Sequence, residues 1–247
     1  MDRIYIDINC DVGEGIGNED DIFPLISSCS AACGGHAGDE ESMKRMVQLA
    51  KEHNVKLGAH PSYPDKVNFG RVSLKMDAND FSDSIQTQIE SLKSICKKED
   101  VQLHHIKPHG ALYNDIAKDK KLASLFLEAI EKYKLDQFLY VPPLSVIEEL
   151  AQKQGFKLKR EAFGDRNYTK DLKLVSRKSI DALITDPRAV LNHLLYIIKE
   201  GKVKTVNRDL VNLKAETYCI HGDNQTALQI LTYLTQELAN HYIYLKK

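Results

Sequence analysis

The stretch KPHGALYN, residues 107–114, joins a short apolar run to an amphipathic one and places Lys107 and His109 at the junction. Three further histidines have the same setting, next to Gly or Pro and between a β-rich run and a helix-like run. They lie in CGGHAGD (residues 33–39), GAHP (residues 58–61) and IHGD (residues 220–223). A chain that repeatedly places titratable side chains at the ends of strands is typical of a protein with a functional site there.

Short β-type runs alternate with amphipathic runs along the whole chain, and no linker or change of composition divides it. The predicted strands are residues 4–9, 29–33, 55–60, 103–109, 138–141, 158–163 and 217–221. The predicted helices include residues 43–50, 85–96, 122–130, 190–198 and 228–238, and Asp186-Pro187 starts the fourth. Seven such units within residues 1–247 predict a single-domain parallel (β/α) barrel with seven strands. An open doubly wound sheet is the competing architecture.

Composition excludes several classes of function. The formal net charge is -1 and no Lys/Arg block is present, which argues against nucleic acid and anionic membranes as partners. The first residues, MDRIYID, lack the apolar run of a signal peptide, and no window approaches the roughly 20 apolar residues of a membrane span. We therefore expect a soluble cytoplasmic protein. The five cysteines form no C-x-x-C pair and are expected to be reduced, buried thiols.

Active-site groups of a parallel barrel lie at the carboxyl ends of its strands. The polar candidates at those ends are Asp7, Asn9, Asp11, Glu14, His36, Asp39, His60, Asp65, Lys107, His109, Glu161, Asp165, Arg166, His221 and Asp223. Asp7, Asn9 and Asp11 alternate with apolar residues, so they share one face of a strand. Polar groups inside a barrel are costly unless they bind a ligand or one another. A half-exposed edge strand is the alternative.

A metal site is one open interpretation of the histidines. His36 and His60 with Asp11 have the composition of a two-histidine, one-carboxylate site for zinc or another divalent ion. No compact ligand motif joins them, so we expect the chain to fold without a structural metal, and a tightly bound metal stays an open question. The same histidines suit general acid–base roles equally well.

Other residues receive more ordinary interpretations. Lys107 and Arg166 are candidate cations for an anion or a carboxylate. Cys33 is expected to be a buried thiol and not a nucleophile, and His104 and His105 are expected to be structural. The histidines predicted on helix surfaces are His53, His193 and His241. No Walker A sequence is present, so any nucleotide lacks a recognised phosphate cradle.

Seven ordered blocks resemble the LamB/YcsF family nearly from end to end. They are DINCDVGE (7–14), ACGGHAGD (32–39), GAHPSYPD (58–65), FGR (69–71), KPHGALYN (107–114), DRNY (165–168) and CIHGD (219–223). Members of this family form the A subunit of bacterial 5-oxoprolinase. The resemblance implies a distorted (β/α) TIM-like barrel of the glycoside hydrolase/deacetylase type and a complex with PxpB-like and PxpC-like subunits. It also implies ATP-dependent opening, with Mg, of the lactam of 5-oxo-L-proline to L-glutamate.

The resemblance also suggests roles for the candidate residues. His36, His60 or His109, together with Asp11, would activate water. Lys107 and Arg166 would stabilise developing negative charge or bind the substrate carboxylate. Asp223 would orient His221 or another base. The further substrate-binding candidates are Asn9, Glu14, Arg71, Asp165, Arg166 and His221.

Two other functions stay open from the sequence. One is a metal-dependent amidohydrolase or carbohydrate deacetylase that works without ATP, and the other is a non-catalytic subunit that binds the lactam. The chain departs from the usual family residues at Ser30, Gly35, Ser62 and Val72. Because the acidic, basic and cationic positions are retained, we expect the chemistry to be retained.

Overall fold

A computed structural model describes residues 2–246, and its centre is a closed barrel of seven parallel strands. Within residues 2–246 there are eleven strands, and seven of them form this barrel. In chain order they are β1 (Ile4–Ile6), β2 (Ile8–Val12), β3 (Ser28–Ala32), β4 (Lys56–His60), β5 (Leu103–Ile106), β6 (Phe138–Val141), β7 (Lys157–Phe163), β8 (Lys202–Lys204), β9 (Leu210–Asn212), β10 (Thr217–Cys219) and β11 (Ile243–Leu245). Strands β2 to β7 follow one another round the barrel, and β10 pairs with both β7 and β2 to close it. The predicted seven-stranded TIM-like barrel is confirmed.

Helices cover the outside of the barrel. They are α1 (Glu19–Ile22), α2 (Glu40–Glu52), α3 (Ala78–Lys98), α4 (Gly110–Ile116), α5 (Lys120–Ala129), α6 (Val146–Lys153), α7 (Pro187–Glu200) and α8 (Ala227–Glu237). Short 3-10 turns follow three of them, at Phe23–Leu25, Glu131–Tyr133 and Leu238–His241. None of the helices within residues 2–246 is long and apolar enough to cross a membrane.

Local sequence explains where the longer helices begin. Asp39 caps α2 by accepting a hydrogen bond from the Ser42 amide, and the Ser42 hydroxyl accepts one from the Asp39 amide in return. Asp186 caps α7 in the predicted way, with Pro187 at the first helical position, and Gly201 ends this helix in the left-handed conformation. Asp39 is therefore a capping residue and not part of the site.

The prediction of one continuous strand over residues 4–9 is wrong. The structure divides it at Asp7 into β1, which pairs with β11 outside the barrel, and β2, which is a barrel strand. The break is missed because β11, the partner of β1, lies at the other end of the chain, so this pairing cannot be recognised from the local sequence. The division turns the buried Asp7 carboxylate toward the hydroxyls of Ser28 and Thr217, both 2.7 Å away.

The remaining histidine and cysteine predictions have mixed outcomes. His193 is buried, which contradicts its predicted surface position, because its ring stacks on Tyr168 and its Nε2 lies 3.2 Å from the carbonyl of Phe163. The other two surface histidines, His53 and His241, are partly exposed. All five cysteines are unpaired and buried, as predicted, and burial raises the pKa of Cys33 to about 12. Such a thiol is a poor nucleophile at neutral pH.

Candidate active site

A ladder of polar side chains rises through the inside of the barrel from β2. Asp7, Asn9 and Asp11 are all buried, and Asn9 donates a hydrogen bond of 2.7 Å to the hydroxyl of Thr217. Asp7 accepts from the same hydroxyl one layer below, and Asp11 lies one layer above. Alternation along the strand places the three residues on one face, as predicted, and each has polar partners inside the barrel.

The ammonium of Lys107 is the charged centre of this ladder. Its Nζ lies 2.9 Å from Asp11 Oδ1, 2.8 Å from Glu161 Oε1 and 3.0 Å from Asn9 Oδ1. Burial alone would lower the pKa of Lys107, but Asp11, the Cys219 thiol and Glu161 raise it well above its ordinary value. Lys107 is therefore a permanent, fully paired cation, and its geometry suits positioning of Asp11 better than contact with a substrate.

Burial would also raise the pKa of Asp11, but His60 and Lys107 lower it well below the ordinary value. Asp11 is thus ionised at neutral pH. Its second oxygen, Oδ2, lies 3.4 Å from His60 Nε2, so this carboxylate links the charged ladder to a histidine cluster above it.

Three histidines and one glutamate form that cluster, which we define as Glu14, His36, His60 and His109. Glu14 Oε1 lies 3.0 Å from His36 Nε2, 3.3 Å from His109 Nδ1 and 3.9 Å from His60 Nε2. The rings of His36 and His109 are stacked, with centroids 3.6 Å apart, and His60 is nearly perpendicular to both. The structure therefore brings together three histidines that the sequence places after three different strands.

Burial dominates the electrostatics of the cluster. It raises the pKa of Glu14 to about 7, with the neighbouring Asp11 adding to the effect. It also lowers the pKa of His36 to about 3 and that of His109 well below its ordinary value, and the charge of neighbouring imidazoles adds to both shifts. The imidazoles of His36 and His109 are therefore neutral at pH 7, which leaves one lone pair on each ring to accept a hydrogen bond or to bind a metal cation.

The loop after β4 forms the wall against this cluster. The carbonyl of Phe69 lies 3.0 Å from His109 Nε2, and both Phe69 and Gly70 have positive φ angles, 53° and 62°. A Cβ at Gly70 would lie 2.9 Å from the Cβ of His36 and 3.0 Å from His109 Cδ2, so a larger residue does not fit. A left-handed non-glycine residue such as Phe69 is strained, and such strain is concentrated at functional sites. Asp65 stabilises this loop through Asn68 and does not reach the cluster.

His221 and Asp165 form an acid–base pair on the other side of the ladder. Asp165 Oδ1 lies 2.8 Å from His221 Nδ1, and Asp165 Oδ2 accepts from the His221 amide and the Asn224 side chain. The imidazole stacks on Phe163, with ring centroids 5.1 Å apart. Burial opposes ionisation of Asp165, but His221 and Asn224 keep its pKa below the ordinary value. The carboxylate that orients His221 is therefore Asp165, whereas the sequence pointed to Asp223.

Asp223 instead lies between two arginines. Its Oδ2 is paired with Arg71 and lies 3.1 Å from Nη1 of Arg177. The side chain of Arg71 is 39% exposed and that of Arg177 is 31% exposed, so this group is open to solvent at the edge of the site. Arg177 was not predicted, because it lies in an irregular, polar segment with no recognisable motif.

Arg166 does not lie with these two arginines. Its guanidinium donates to the carbonyls of Val175 (2.7 Å) and Ala182 (3.2 Å), and the residue is 5% exposed. These contacts hold together the segment between β7 and α7. The predicted role of Arg166 in gripping a carboxylate therefore suits Arg177 better.

The residues thus divide into four groups that surround the carboxyl ends of the strands. These are the paired cation Lys107, the Glu14–His cluster, the His221–Asp165 pair and the Arg71–Asp223–Arg177 group. Donor atoms of Glu14, His36, His60 and His109 lie within 4.8 Å of one another, as do those of Asp11, Cys219 and His221. In the second set Cys219 Sγ accepts from Lys107 at 3.2 Å, so the first set is better suited to a metal ion.

A closed parallel α/β barrel with acid–base side chains at the ends of its strands defines a TIM-like barrel with an enzyme-type site. More particularly, the chain belongs to the LamB/YcsF family, whose family model matches residues 6–247. A protein from Staphylococcus epidermidis, named as the A subunit of 5-oxoprolinase, is 38% identical over 241 residues, which is 96% of each chain. A protein of the same name from Pyrococcus abyssi is 38% identical over 94% of this chain and 93% of its own.

One solved structure supports the same assignment, and a second shares the fold. The crystal structure of a lactam utilization protein from Thermus thermophilus superimposes with a TM-score of 0.91 and 34% identity, covering 98% of this chain and 99% of its own. A putative cellobiose-phosphate cleavage protein from Enterococcus faecalis has a TM-score of 0.60 and 15% identity over 100% and 98% of the two chains. At that identity the second similarity concerns the fold alone.

Proposed function

We propose that this chain is the A subunit of an ATP-dependent 5-oxoprolinase and that it opens the lactam of 5-oxo-L-proline to give L-glutamate. The relatives named as the A subunit of 5-oxoprolinase, similar along nearly their whole length, support the substrate class. The observation that carries the proposal is the His221–Asp165 pair beside the charged Asp11–Lys107 ladder. PxpB-like and PxpC-like subunits would complete the enzyme.

Lactam hydrolysis makes specific demands on such a site. The amide carbon is a weak electrophile, water must lose a proton as it attacks, and the departing nitrogen must gain one. Transfer of a phosphoryl group from ATP to the lactam oxygen would release ADP and make that carbon susceptible to water. Once the bond from carbon to nitrogen has broken, a second water would release inorganic phosphate from the acyl phosphate and leave the carboxylate of glutamate. The chain's own contribution is then proton transfer and control of charge around the ring.

The His221–Asp165 pair is suited to the proton transfer. A carboxylate only accepts hydrogen bonds, so His221 Nδ1 carries a proton toward Asp165 and Nε2 is the nitrogen that exchanges a proton with a ligand. The donor atoms of Asp11 and His221 lie within 4.8 Å of each other, a distance short enough for one small ligand to span. His221 would take the proton from water and return it to the departing nitrogen, while Asp11 stays ionised.

The substrate carboxylate matches the Arg71–Asp223–Arg177 group. Two guanidinium groups sharing one carboxylate oxygen have donors left over for a second anion, and arginine binds carboxylates in a bidentate manner. Burial opposes ionisation of Asp223, but Arg177, His221 and Arg71 hold its pKa below the ordinary value. Asp223 therefore keeps both arginines in place at neutral pH.

The test is glutamate release from 5-oxo-L-proline by the purified chain, alone and mixed with the two partner subunits, with and without MgATP. We expect turnover only in the complete mixture with ATP, because no phosphate-binding motif is present in this sequence. Robust ATP-coupled turnover by the single chain would contradict the need for partners. Hydrolysis of amides without ATP would favour the amidohydrolase alternative, and an inactive complete mixture would overturn the proposal.

A further inference from the structure

In the Glu14–His cluster, one ring nitrogen of His60 and one of His109 face each other. When both rings are neutral, neither nitrogen has a hydrogen to donate to the other. His60 Nδ1 lies 2.7 Å from the carbonyl oxygen of Lys107, and His109 Nε2 lies 3.0 Å from that of Phe69. A carbonyl oxygen only accepts, so the outer nitrogen of each ring carries a proton, and in the neutral form of a ring the inner nitrogen carries none. The inner nitrogens, His60 Nε2 and His109 Nδ1, are 3.0 Å apart and both present lone pairs. Two lone pairs at this distance repel unless a positive charge lies between them.

Glu14 supplies a third potential ligand atom, a carboxylate oxygen, next to these two nitrogens. Its Oε1 lies 3.3 Å from His109 Nδ1 and 3.9 Å from His60 Nε2, which completes a triangle with the 3.0 Å edge between the nitrogens. Ligands bound tetrahedrally to zinc at 2.0–2.1 Å are separated from one another by about 3.3 Å. The edges of 3.3 Å and 3.0 Å lie within about 0.3 Å of that value, and the 3.9 Å edge between Glu14 and His60 is about 0.6 Å longer. The rings of His60 and His109 are 83° apart, so their lone pairs approach a common centre from different directions.

His36 is the outer partner of this triangle and not a fourth ligand. Its ring is parallel to that of His109 within 4°, at a centroid distance of 3.6 Å, so in-plane lone pairs of the two rings do not meet at one atom. Its Nε2 lies 3.0 Å from Glu14 Oε1 and orients that carboxylate. Asp11, the other candidate from the sequence, pairs with Lys107 through Oδ1, and its Oδ2 lies 3.4 Å from His60 Nε2, but Asp11 is not among the side chains of this cluster whose donor atoms all lie within 4.8 Å of one another. Of the three sequence candidates, only His60 is therefore retained as a direct ligand.

We propose that Glu14, His60 and His109 bind one divalent transition-metal ion, for which zinc is best matched by the ligand chemistry. Backbone carbonyls that fix the outer nitrogens of ligating histidines are a recurrent feature of metal sites, and here Lys107 and Phe69 provide them. Three protein ligands leave one coordination position for water or a substrate oxygen. The role of the ion in catalysis rests on the proposed function, since it would polarise the lactam oxygen or acidify a bound water. Binding of the ion by the three side chains does not depend on the proposed function.

The test uses the purified single chain, without partners, ATP or lactam. After treatment with chelator and dialysis, the protein is titrated with ZnCl₂ by calorimetry, and metal content is measured by elemental analysis. We expect about one zinc per chain and a higher melting temperature in its presence, because an ion that binds the folded state stabilises it. Absence of stoichiometric binding by the wild-type chain would overturn the inference and indicate a shared proton between His60 and His109.

Variants identify the ligands. His60→Ala, His109→Ala and Glu14→Gln are expected to abolish stoichiometric binding, and His36→Ala to weaken it by roughly 10–100-fold as an outer partner. His53→Ala, at the end of α2, is the matched control and should bind as the wild type does. Unchanged zinc affinity in folded variants of Glu14, His60 and His109 would place the ion elsewhere and contradict the assignment. These experiments measure zinc binding and not catalysis. Their outcome can therefore be interpreted even if the lactam assay of the proposed function finds no activity.

Discussion

Lys107 and Asp11 form an ion pair with a distance of 2.9 Å inside the barrel, and Glu161 lies 2.8 Å from the same ammonium. One buried cation thus serves two buried carboxylates, with Asn9 as a neutral fourth member. Removing one member of a buried charge pair leaves the others uncompensated, which is more costly than never burying them. The folded state therefore depends on every member of the ladder, which also supports the site.

We predict that Lys107→Met lowers the free energy of unfolding by about 3–5 kcal/mol, because Asp11 and Glu161 lose their counterion. Urea denaturation at pH 7 measures the change. Lys153→Met is the control, since Lys153 pairs with Glu149 on the exposed side of α6 and should alter stability by less than about 0.5 kcal/mol. An equally small effect of Lys107→Met would mean that the ladder is solvated and that its charges are not coupled.

A second prediction concerns the acid–base pair. Asp165→Asn should lower kcat of the assembled enzyme by roughly 10²–10⁴-fold with a much smaller change in KM, because His221 loses the acceptor that fixes its tautomer. Glutamate release at varied lactam concentration separates the two parameters. Asp171→Asn, an exposed position in the following segment, should behave as the wild type. A purely structural role of Asp165 would be shown by lost folding with normal kcat in the folded fraction.

A third prediction concerns the mouth of the site. Arg71→Met and Arg177→Met should each raise KM for 5-oxo-L-proline by roughly tenfold or more, because a charged hydrogen bond to a carboxylate is worth about 1.5–3 kcal/mol. The value of kcat should change little, since neither arginine is placed to move a proton. Arg188→Met, on the exposed side of α7, is the control. A fall in kcat at unchanged KM would move the arginines from substrate binding to the chemical step.

Much of the fold follows from local sequence, and the failures have a common physical cause. Strands of a parallel barrel are short buried runs bounded by turn residues, which is why the predicted strand 138–141 has its observed bounds. The break at Asp7 is missed because β1 pairs with β11, far away in the chain. His193 is misplaced because its face of α7 is covered by Tyr168 from an irregular segment. Periodicity within a helix does not reveal what covers each of its faces.

The candidate site shows the same division. The ends of strands can be recognised from the sequence, so residues such as Lys107 and His109 are placed near the site by sequence alone. Their partners cannot be, because pairing is decided by distances across the barrel. Asp165 and Asp223 are both acidic and both near a strand end, and only the structure shows which one contacts His221. Arg177 has no local signal at all.

A fourth prediction concerns stability in acid. Burial lowers the pKa of His193 to about 4, although the carbonyl of Phe163 and the charge of Asp165 act in the opposite direction. The unfolded chain therefore binds a proton below about pH 6.5 that the folded chain refuses until about pH 4, so stability falls as the pH falls through this window. His193→Phe should reduce that loss by roughly 1–3 kcal/mol.

Urea denaturation at several pH values between 7 and 4 measures this loss. The variant should be less stable at pH 7 by about 1 kcal/mol, because the carbonyl of Phe163 loses its donor. Its stability should nevertheless depend less steeply on pH than that of the wild type. His241→Phe, at a partly exposed position, is the control for the slope. Parallel curves for the wild type and His193→Phe would show that His193 titrates normally in the folded state.

The last prediction concerns close packing below the site. A Cβ at Gly58 would lie 2.2 Å from His105 Nε2, and the imidazole cannot move away because it stacks on Tyr140 with centroids 3.9 Å apart. Gly58→Ala should therefore cost about 1–3 kcal/mol of stability by overpacking. In a His105→Ala background the same methyl group enters the space left by the ring, so its cost should vanish or change sign. A double-mutant cycle by urea denaturation measures the coupling, and additive effects would show that strand β4 shifts to make room without involving His105.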